Sequence, residues 1–252
     1  MGIEVLRAAR LRHDCEVRAT LVRAASAWVG EPVALAFGRD APDIDFLSAL
    51  DPDTGLDAII DFSTPDALAT PLAIALERRI ALVCGTTGLS AAQMDELKAA
   101  ASRIPVLWSA NFSIGVALLK RMAAMAAAQL GPDFDAEILE VHHRHKKDAP
   151  SGTALALGRA IAETRGHGFD DVARYSRDRV GEPRADHEIG FAVMRAADVV
   201  GEHTVLFASA GERLELTHRA SSRSIFASGA VRSAVWLARQ GAGWYDISDV
   251  LG

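Results

Sequence analysis

The alternation of short apolar runs with helix-forming stretches is the feature that most constrains how this chain folds. Asp57–Phe62, Ile80–Cys84 and Ile104–Trp108 are apolar runs of strand length. The stretch between the last two opens with Ser90 and Gln93, whose spacing is that of a helix capping box. Strands that alternate with helices in this way predict an α/β fold with a doubly wound parallel sheet over residues 1–112.

The start of the chain is predicted to be a helix followed by a strand. Ile3, Val5, Leu6 and Ala9 lie at helical spacing and form one apolar stripe. Glu16–Val22 then alternates charged and apolar residues, which is typical of a half-exposed strand. A helix is therefore predicted to precede the first strand.

The pattern changes after Asn111, and we place a domain boundary near residue 112. Strands are spaced more widely in the second region, which predicts an α+β domain with a sheet of its own. Its predicted elements are helix Ser113–Leu130, strand Glu137–His142, helix Thr153–Arg165, an exposed loop Phe169–Asp186, strands Glu188–Arg195, Thr204–Ala210 and Arg213–Thr217 with a tight turn at Gly211-Glu212, and helix Ser222–Gln240.

The charge balance excludes some classes of partner. The chain has 27 Lys and Arg against 33 Asp and Glu, a formal net charge of -6. It lacks the basic field that non-specific nucleic-acid binding requires, so we expect no nucleic-acid partner. No stretch approaches the roughly eighteen apolar residues of a membrane span, and Met1–Arg12 has no signal-peptide pattern. With only Cys15 and Cys84, these features predict a cytoplasmic protein that contacts no membrane.

The densest polar cluster is His142–Lys147, six consecutive basic or potentially basic side chains. Pro150–Thr153 follows and is predicted to open a helix, whose N-terminal N–H groups and dipole attract anions. His142, with a pKa near neutrality, and Lys146 can supply a proton to a bound anion. Three alternatives stay open: a solvated basic loop, a metal site formed by the histidines, and a nucleic-acid patch. The cations beside the histidines disfavour a metal ion, and we expect none.

Two loops that follow predicted strands are candidates for ligand binding. Gly85–Gly88 and Ser109–Ser113 come at the carboxyl ends of strands, where open parallel sheets bind their ligands. The alternatives are a plain tight turn for the first loop and a helix N-cap at Asn111 or Ser113 for the second. Ser221–Arg223 is in the same way either an anion contact or a cap.

Five motifs in chain order carry a resemblance to a known family. They are CGTTG at Cys84–Gly88, ANFS at Ala110–Ser113, HHRHKKDAPSGT at His142–Thr153, VVGEH at Val199–His203 and SSR at Ser221–Arg223. Through them the chain resembles the 4-hydroxy-tetrahydrodipicolinate reductase family from Gly2 to its C-terminus. The resemblance implies NAD(P)H-dependent reduction of a cyclic imine dicarboxylate in lysine and diaminopimelate biosynthesis.

The resemblance also implies a domain organisation. A Rossmann-like dinucleotide-binding domain is expected at residues 1–112, and the C-terminal segment 223–252 is expected to return to it. Residues 113–222 are expected to form a substrate-binding domain with a mixed sheet, which also builds a homotetramer.

Site residues follow from the resemblance position by position. His142 is the expected proton donor and acceptor, and Lys146 the expected proton donor or stabiliser of charge on the ring. The residues expected to hold the substrate carboxylates are His143, Gly152 and Thr153. The residues expected to bind NADPH or NADH are Met1, Gly2, Val22, Arg23, Gly85, Thr86, Thr87, Ala110, Asn111 and Phe112. Because Arg23 can pair with a 2′-phosphate and Val22 offers no carboxylate to a ribose, we expect NADPH to be preferred.

The sequence departs from the family at its start. The family's phosphate loop reads G-x-x-G-R-M-G, and Met1-Gly2 matches only its last two residues. The resemblance therefore predicts a nucleotide domain that lacks its first strand and most of the glycine loop. Two hypotheses follow: an active reductase, or a non-catalytic or impaired homologue that keeps the tetrameric substrate domain and binds cofactor poorly.

Overall fold

The computed structural model describes residues 1–38, 41–177, 181 and 183–252. They divide into two compact units, Met1–Ser113 with Ser224–Gly252, and Ile114–Arg223. The helices and strands are, in chain order, α1 (Gly2–Arg10), β1 (Thr20–Leu21), α2 (Val33–Phe37), β2 (Phe46–Leu47), β3 (Ala58–Asp61), α3 (Ala69–Arg78), β4 (Ala81–Cys84), α4 (Ala91–Ala100), β5 (Pro105–Trp108), α5 (Ile114–Leu130), β6 (Asp135–His142), α6 (Gly152–Thr164), α7 (Phe169–Val172), β7 (Ala173–Arg174), β8 (Ile189–Arg195), β9 (Gly201–Ser209), β10 (Glu212–Ala220), α8 (Ser224–Leu237) and β11 (Gly243–Tyr245).

The first unit is built on a parallel sheet with the strand order β11-β5-β4-β3. All four residues of the central strand β4 are buried, because a parallel strand covered on both faces has no solvent side. Leu72 of α3 and Leu97 of α4 pack in one core with Leu82 of β4, and α8 contacts β3, β4 and β5. The predicted parallel α/β architecture is confirmed.

The capping box before α4 forms as predicted. The Ser90 hydroxyl accepts from the Gln93 N–H at 3.2 Å, and the Gln93 side-chain oxygen accepts from the Ser90 N–H at 3.0 Å. Two of the N–H groups that a helix start leaves without a partner are thereby satisfied. This local signal needs no tertiary contact.

The predicted strand Glu16–Val22 is wrong over most of its length. Only Thr20–Leu21 forms a strand, β1, which pairs in parallel with β2 over two residues. Glu16 and Arg18 are exposed and form an ion pair with each other at 3.0 Å. A strand requires a neighbour to complete its hydrogen bonds, and alternation reports only exposure. The edge strand β11 was not predicted.

The second unit contains a mixed sheet with the order β10-β9-β6-β8-β7. The β10/β9 and β9/β6 pairs are antiparallel, whereas β6/β8 and β8/β7 are parallel. Ile138 of β6, Leu119 of α5 and Leu157 of α6 pack in one buried core. Both helices therefore cover the same face of the sheet, and the mixed-sheet prediction is confirmed.

Two local predictions in this unit need correction. Phe169–Asp186 was predicted to be an exposed loop, but it begins with α7 and β7; the structure does not describe residues 178–180 and 182 of this segment. Phe169 packs on the core against Phe191, with ring centroids 6.1 Å apart, which anchors α7 to the second unit. The hairpin turn lies at Ala210-Gly211, one residue earlier than predicted, where Gly211 takes a φ of 92°.

Candidate active site

Strand β6 carries two functional groups to one end of the mixed sheet. Ala136, Ile138, Glu140 and His142 are buried, whereas the residues between them are not. Alternate side chains of a strand lie on one face. The first two join the apolar core, and the last two place an acid and an imidazole side by side at the carboxyl end of the strand.

The Glu140 carboxylate accepts hydrogen bonds from three parts of the second unit. Oε1 accepts from the backbone N–H of Ser151 at 3.0 Å and from Nη2 of Arg195 at 3.2 Å. Oε2 accepts from Nδ1 of His142. The Glu140 side chain is only 1% exposed. A buried charge is tolerated at such a position because donors surround it.

Two histidines share this buried environment. The rings of His142 and His203 pack edge to face with centroids 5.1 Å apart, and Nε2 of His203 lies 3.0 Å from Oγ of Ser151. Burial lowers the pKa of His142 despite the opposing effect of Glu140. Burial also lowers the pKa of His203 to about 3. Both shifts are downward, so burial favours the neutral imidazole at both positions.

Lys146 lies in the loop that follows β6. Its Nζ is 2.9 Å from both carboxylate oxygens of Asp148, and this contact lowers the pKa of Asp148. The Lys146 charge also lowers the pKa of His142, so the two predicted catalytic groups interact. Arg195 anchors the loop by donating to the Asp148 carbonyl at 2.7 Å. His143 is half-buried in the same loop.

The first turn of α6 has the geometry of an anion site. Ser151 is the N-cap, and its hydroxyl accepts from the Ala154 N–H at 3.2 Å. Gly152 and Thr153, the first two helical residues, are exposed and half-buried, respectively. The backbone N–H groups at a helix start point outward and the dipole is positive there. The predicted carboxylate-binding residues therefore lie at the positive end of a helix.

The same cluster contains a set of groups that can ligate a metal ion. One ligand atom each from Glu140, His142 and His203 lie within 4.8 Å of one another. Glu140, which shares a strand face with His142, was not among the candidate ligands in the sequence. Both Glu140 oxygens already accept hydrogen bonds, and Arg195 and Lys146 add positive charge. The arrangement favours proton transfer over cation binding.

Three residues of this cluster were missed from the sequence: Glu140, Arg195 and His203. Arg195 pairs with His142 across the β6/β8 ladder, and His203 pairs with Glu140 across β6/β9. His203 is the last residue of the VVGEH motif, so the sequence marks it as notable but does not show which residues it contacts. Only the register of the two ladders brings these side chains together.

The predicted cofactor loops meet at one edge of the first unit. Cys84 of β4 pairs with Trp108 of β5, so the loops that start at Gly85 and Ser109 leave the sheet side by side. This carboxyl edge is where open parallel sheets bind ligands. The structure therefore brings Gly85–Thr87 and Ala110–Phe112 together.

Thr86 is held from below by a buried acid. Its hydroxyl donates to Oδ2 of Asp61 at 2.7 Å, and its carbonyl accepts from Nε1 of Trp108 at 3.1 Å. Thr86 is 2% exposed, whereas Thr87 is exposed. Thr87 is consequently the threonine of this loop whose side chain faces solvent.

The rings under these loops are tightly packed. A Cβ at Gly85 would lie 2.3 Å from a ring atom of Phe62, so only glycine fits there. Phe62 packs edge to face on Phe112 with centroids 5.2 Å apart, and Phe112 is 1% exposed. Phe112 is therefore buried as a whole residue, and its ring packs in the interior beside this loop. Beside it, Ala110 is exposed and Asn111 is half-buried.

The remaining predicted cofactor residues lie elsewhere in the first unit. Gly2 begins α1, and its N-cap residue Met1 makes no side-chain capping hydrogen bond. The Val22 N–H donates to the Leu47 carbonyl at 2.8 Å, and the exposed Arg23 follows. Within the described ranges β1 pairs with β2 and not with the four-stranded sheet. In this part of the described chain, therefore, no strand ladder links Arg23 to the other loops predicted to bind the cofactor.

A parallel α/β unit and a mixed-sheet unit with a buried acid–imidazole pair define the class of two-domain α/β oxidoreductases. Two family models match the chain. The model for the N-terminal part of dihydrodipicolinate reductase matches residues 1–112, and the model for its C-terminal part matches residues 115–251. The chain belongs to the dihydrodipicolinate reductase family, which confirms the resemblance inferred from its motifs.

Individual relatives agree with this assignment. A 4-hydroxy-tetrahydrodipicolinate reductase of Pseudoalteromonas translucida is 45% identical over 251 residues, which cover 100% of this chain and 94% of the relative. One from Zymomonas mobilis is 54% identical over 196 residues, covering 78% of this chain and 77% of the relative. The dipicolinate-bound dihydrodipicolinate reductase of Paenisporosarcina sp. TG-14 shares the fold, with a TM-score of 0.73 and 22% identity over 98% of this chain and 94% of that one.

Among the described residues, none of the helices combines the length and the apolar character needed to cross a bilayer.

Proposed function

We propose that this chain catalyses the NAD(P)H-dependent reduction of 4-hydroxy-tetrahydrodipicolinate, by way of dihydrodipicolinate, to tetrahydrodipicolinate in lysine and diaminopimelate biosynthesis. The observation that carries the proposal is the buried Glu140–His142 pair beside Lys146 in a member of this reductase family. Relatives that cover most of the chain carry this activity in their names. An imidazole, a lysine and a helix N-terminus together can bind an anion and move a proton to it.

Bound NAD(P)H supplies the hydride for this reaction. His142 and Lys146 supply the proton and stabilise charge. Free His142 is neutral because burial lowers its pKa, and a dicarboxylate bound beside it stabilises the imidazolium. His142 therefore takes up a proton as the anion binds and can pass it to the substrate. Nζ of Lys146, held by Asp148, stabilises negative charge that develops on the ring.

Substrate recognition is assigned to the first turn of α6 and the adjoining loop. The N–H groups of Gly152 and Thr153 face one carboxylate, and His143 faces the other. A helix N-terminus can bind a carboxylate without any positively charged side chain. The dipicolinate bound by the Paenisporosarcina relative has the same pair of carboxylates.

Several residues of the first unit have properties that fit the binding of a dinucleotide. Gly2 opens a helix whose N-cap residue makes no side-chain hydrogen bond, and the N–H groups of a helix start attract a phosphate. At the carboxyl edge of the sheet Ala110 is small and exposed, so the backbone there can approach a flat ring, and the nearby Gly85 is packed against Phe62. Met1, Val22, Arg23, Thr86, Thr87, Asn111 and Phe112 complete the proposed set. Arg23 is assigned to the 2′-phosphate of NADPH.

The open face of the mixed sheet supports a homotetramer. Leu139 and Met194 point away from α5 and α6 and are 38% and 52% exposed. Apolar side chains in such positions favour association with another copy. The oligomer mass in solution, measured by sedimentation, tests the assembly.

Both cysteines are free thiols, in keeping with a cytoplasmic location.

The activity is tested directly with the purified chain. Loss of nicotinamide absorbance is followed with NADPH or NADH, with and without 4-hydroxy-tetrahydrodipicolinate. Dipicolinate, whose aromatic ring resists the reaction, is expected to compete with the substrate. Substrate-dependent oxidation of either cofactor supports the proposal. Cofactor and dipicolinate binding without turnover would instead favour the non-catalytic homologue.

A further inference from the structure

Among the described residues, the Glu140 carboxylate contacts two hydrogen-bond donors and one imidazole nitrogen. Oε1 accepts from the Ser151 N–H and from Arg195, neither of which can act as an acceptor there. Oε2 faces Nδ1 of His142. An ionised carboxylate is an acceptor at both oxygens, so the nitrogen in contact with it carries the hydrogen. His142 is therefore held as the tautomer protonated on Nδ1.

The second nitrogen of His142 is kept clear by a glycine. A Cβ built at Gly201 would lie 2.9 Å from Nε2, closer than real side chains approach. The ring plane is fixed by the edge-to-face contact with His203. Glu140 occupies Nδ1, and Gly201 leaves space beside Nε2. Nε2 is therefore the nitrogen of His142 that exchanges protons.

We propose that Glu140 is the positioning residue of the proton-transfer step, and that Arg195 couples it to the loop that carries Lys146. The inference rests on the proposed reductase function. Arg195 joins Oε1 of Glu140 to the carbonyl oxygens of Lys146 and Asp148, at 3.2, 3.4 and 2.7 Å. Both residues act through the groups they hold. A second-sphere acid of this kind fixes the tautomer and orientation of an imidazole, as it does for histidines at other sites.

The charges around His142 give the direction of the test. Burial lowers its pKa most, Glu140 raises it, and Lys146 and Arg195 lower it. Removing the Glu140 charge leaves burial and two cations without opposition, so the pKa of His142 falls further. The charged and titratable groups around the ring are Glu140 on β6, Lys146 in the next loop with its ion-pair partner Asp148, Arg195 on β8, His203 on β9 and, next to His203, His218 on β10.

The experiment compares Glu140→Gln with Glu137→Gln. Glu137 lies on the same strand and is 33% exposed, so it is a matched control for the loss of one carboxylate. The pKa of His142 is measured by NMR from its imidazole signal, and the pH dependence of kcat/KM is measured in parallel. In Glu140→Gln we expect the pKa, and the pH at which kcat/KM falls, to drop by about 1 to 3 units. In Glu137→Gln neither changes.

An unchanged NMR pKa of His142 in a folded Glu140→Gln variant would overturn the proposal. Glu140→Asp keeps the negative charge but shortens the side chain by one methylene. This variant tests the positioning role if Glu140→Gln does not fold. We expect this variant to lose about tenfold in kcat while its pKa stays near that of the parent; full kcat overturns the proposal. If the pKa of His142 shifts in Glu140→Gln but the parent chain reduces no substrate, the positioning role of Glu140 is supported and the reductase function is refuted.

Discussion

The backbone N–H of Ser151 donates to Oε1 of Glu140 at 3.0 Å, although 11 residues separate the two. Ser151 caps α6, and Glu140 holds His142. One hydrogen bond thus ties the helix start that we propose binds the substrate carboxylate to the acid that we propose orients the imidazole. Anion binding and proton transfer are both assigned to this end of the second unit, which motivates the following predictions.

Loss of either proposed proton donor is expected to lower turnover far more than cofactor binding. His142→Ala and Lys146→Ala should each reduce kcat by about 100- to 10,000-fold, the usual contribution of general acid catalysis. The affinity for NADPH should change little, because both residues lie in the second unit. Lys147→Ala removes an exposed lysine from the same loop and serves as the control. Losses below roughly tenfold at both sites would exclude these residues from the mechanism.

A methyl group at Gly201 is expected to displace the imidazole without altering its charge partners. Gly201→Ala places a Cβ 2.9 Å from Nε2 of His142, so the ring or strand β9 must shift. A misplacement near 1 Å costs roughly 100-fold in turnover, and overpacking costs about 1 to 3 kcal/mol of stability. Gly241→Ala, where no atom lies within 4 Å of the new Cβ, is the matched control. Steady-state kinetics and thermal unfolding of both variants check this, and full activity in Gly201→Ala would contradict it.

The choice of cofactor is expected to depend on Arg23. A guanidinium pairs with a 2′-phosphate through charge-assisted hydrogen bonds. Arg23→Ala should therefore lower kcat/KM with NADPH by about tenfold and leave NADH nearly unaffected. Arg18→Ala removes another exposed arginine, one that pairs with Glu16, and controls for net charge. An NADH preference in the parent, or equal losses with both cofactors, rejects the assignment.

The buried His203 is expected to make the second unit sensitive to acid. Its pKa is about 3 in the folded chain, below the value near 6.5 of an unfolded histidine. As pH falls below about 6.5 the unfolded chain binds the proton first, so stability present above that pH is lost between about 6.5 and 3. At pH 5 the loss relative to pH 7 is about 2 kcal/mol.

Urea unfolding at pH 7 and pH 5 measures this contribution. In His203→Gln the acid-induced loss of stability should be smaller than in the parent by about 2 kcal/mol. His145→Gln, a change at an exposed histidine, should leave the difference between the two pH values as it is in the parent. The same pH dependence in His203→Gln and the parent would show that another group titrates.

Much of this protein is determined by its sequence alone, because the signals are local. Buried strands such as Ile80–Cys84 are contiguous apolar runs, and the Ser90–Gln93 capping box is complete within four residues. The basic run that contains His142 and Lys146 lies next to the start of α6, so the anion site is contiguous in sequence. The motifs there also suffice to identify the family.

Only the tertiary structure decided which side chains complete that site. Glu140, Arg195 and His203 come from three strands, and they meet because the parallel β6/β8 ladder and the antiparallel β6/β9 ladder have one register each. A shift of one residue in either ladder would turn these side chains to the opposite face. Strand pairing of this kind depends on contacts distant in sequence, which no local pattern encodes. The shortness of β1 and the addition of β11 beside β5 have the same physical reason.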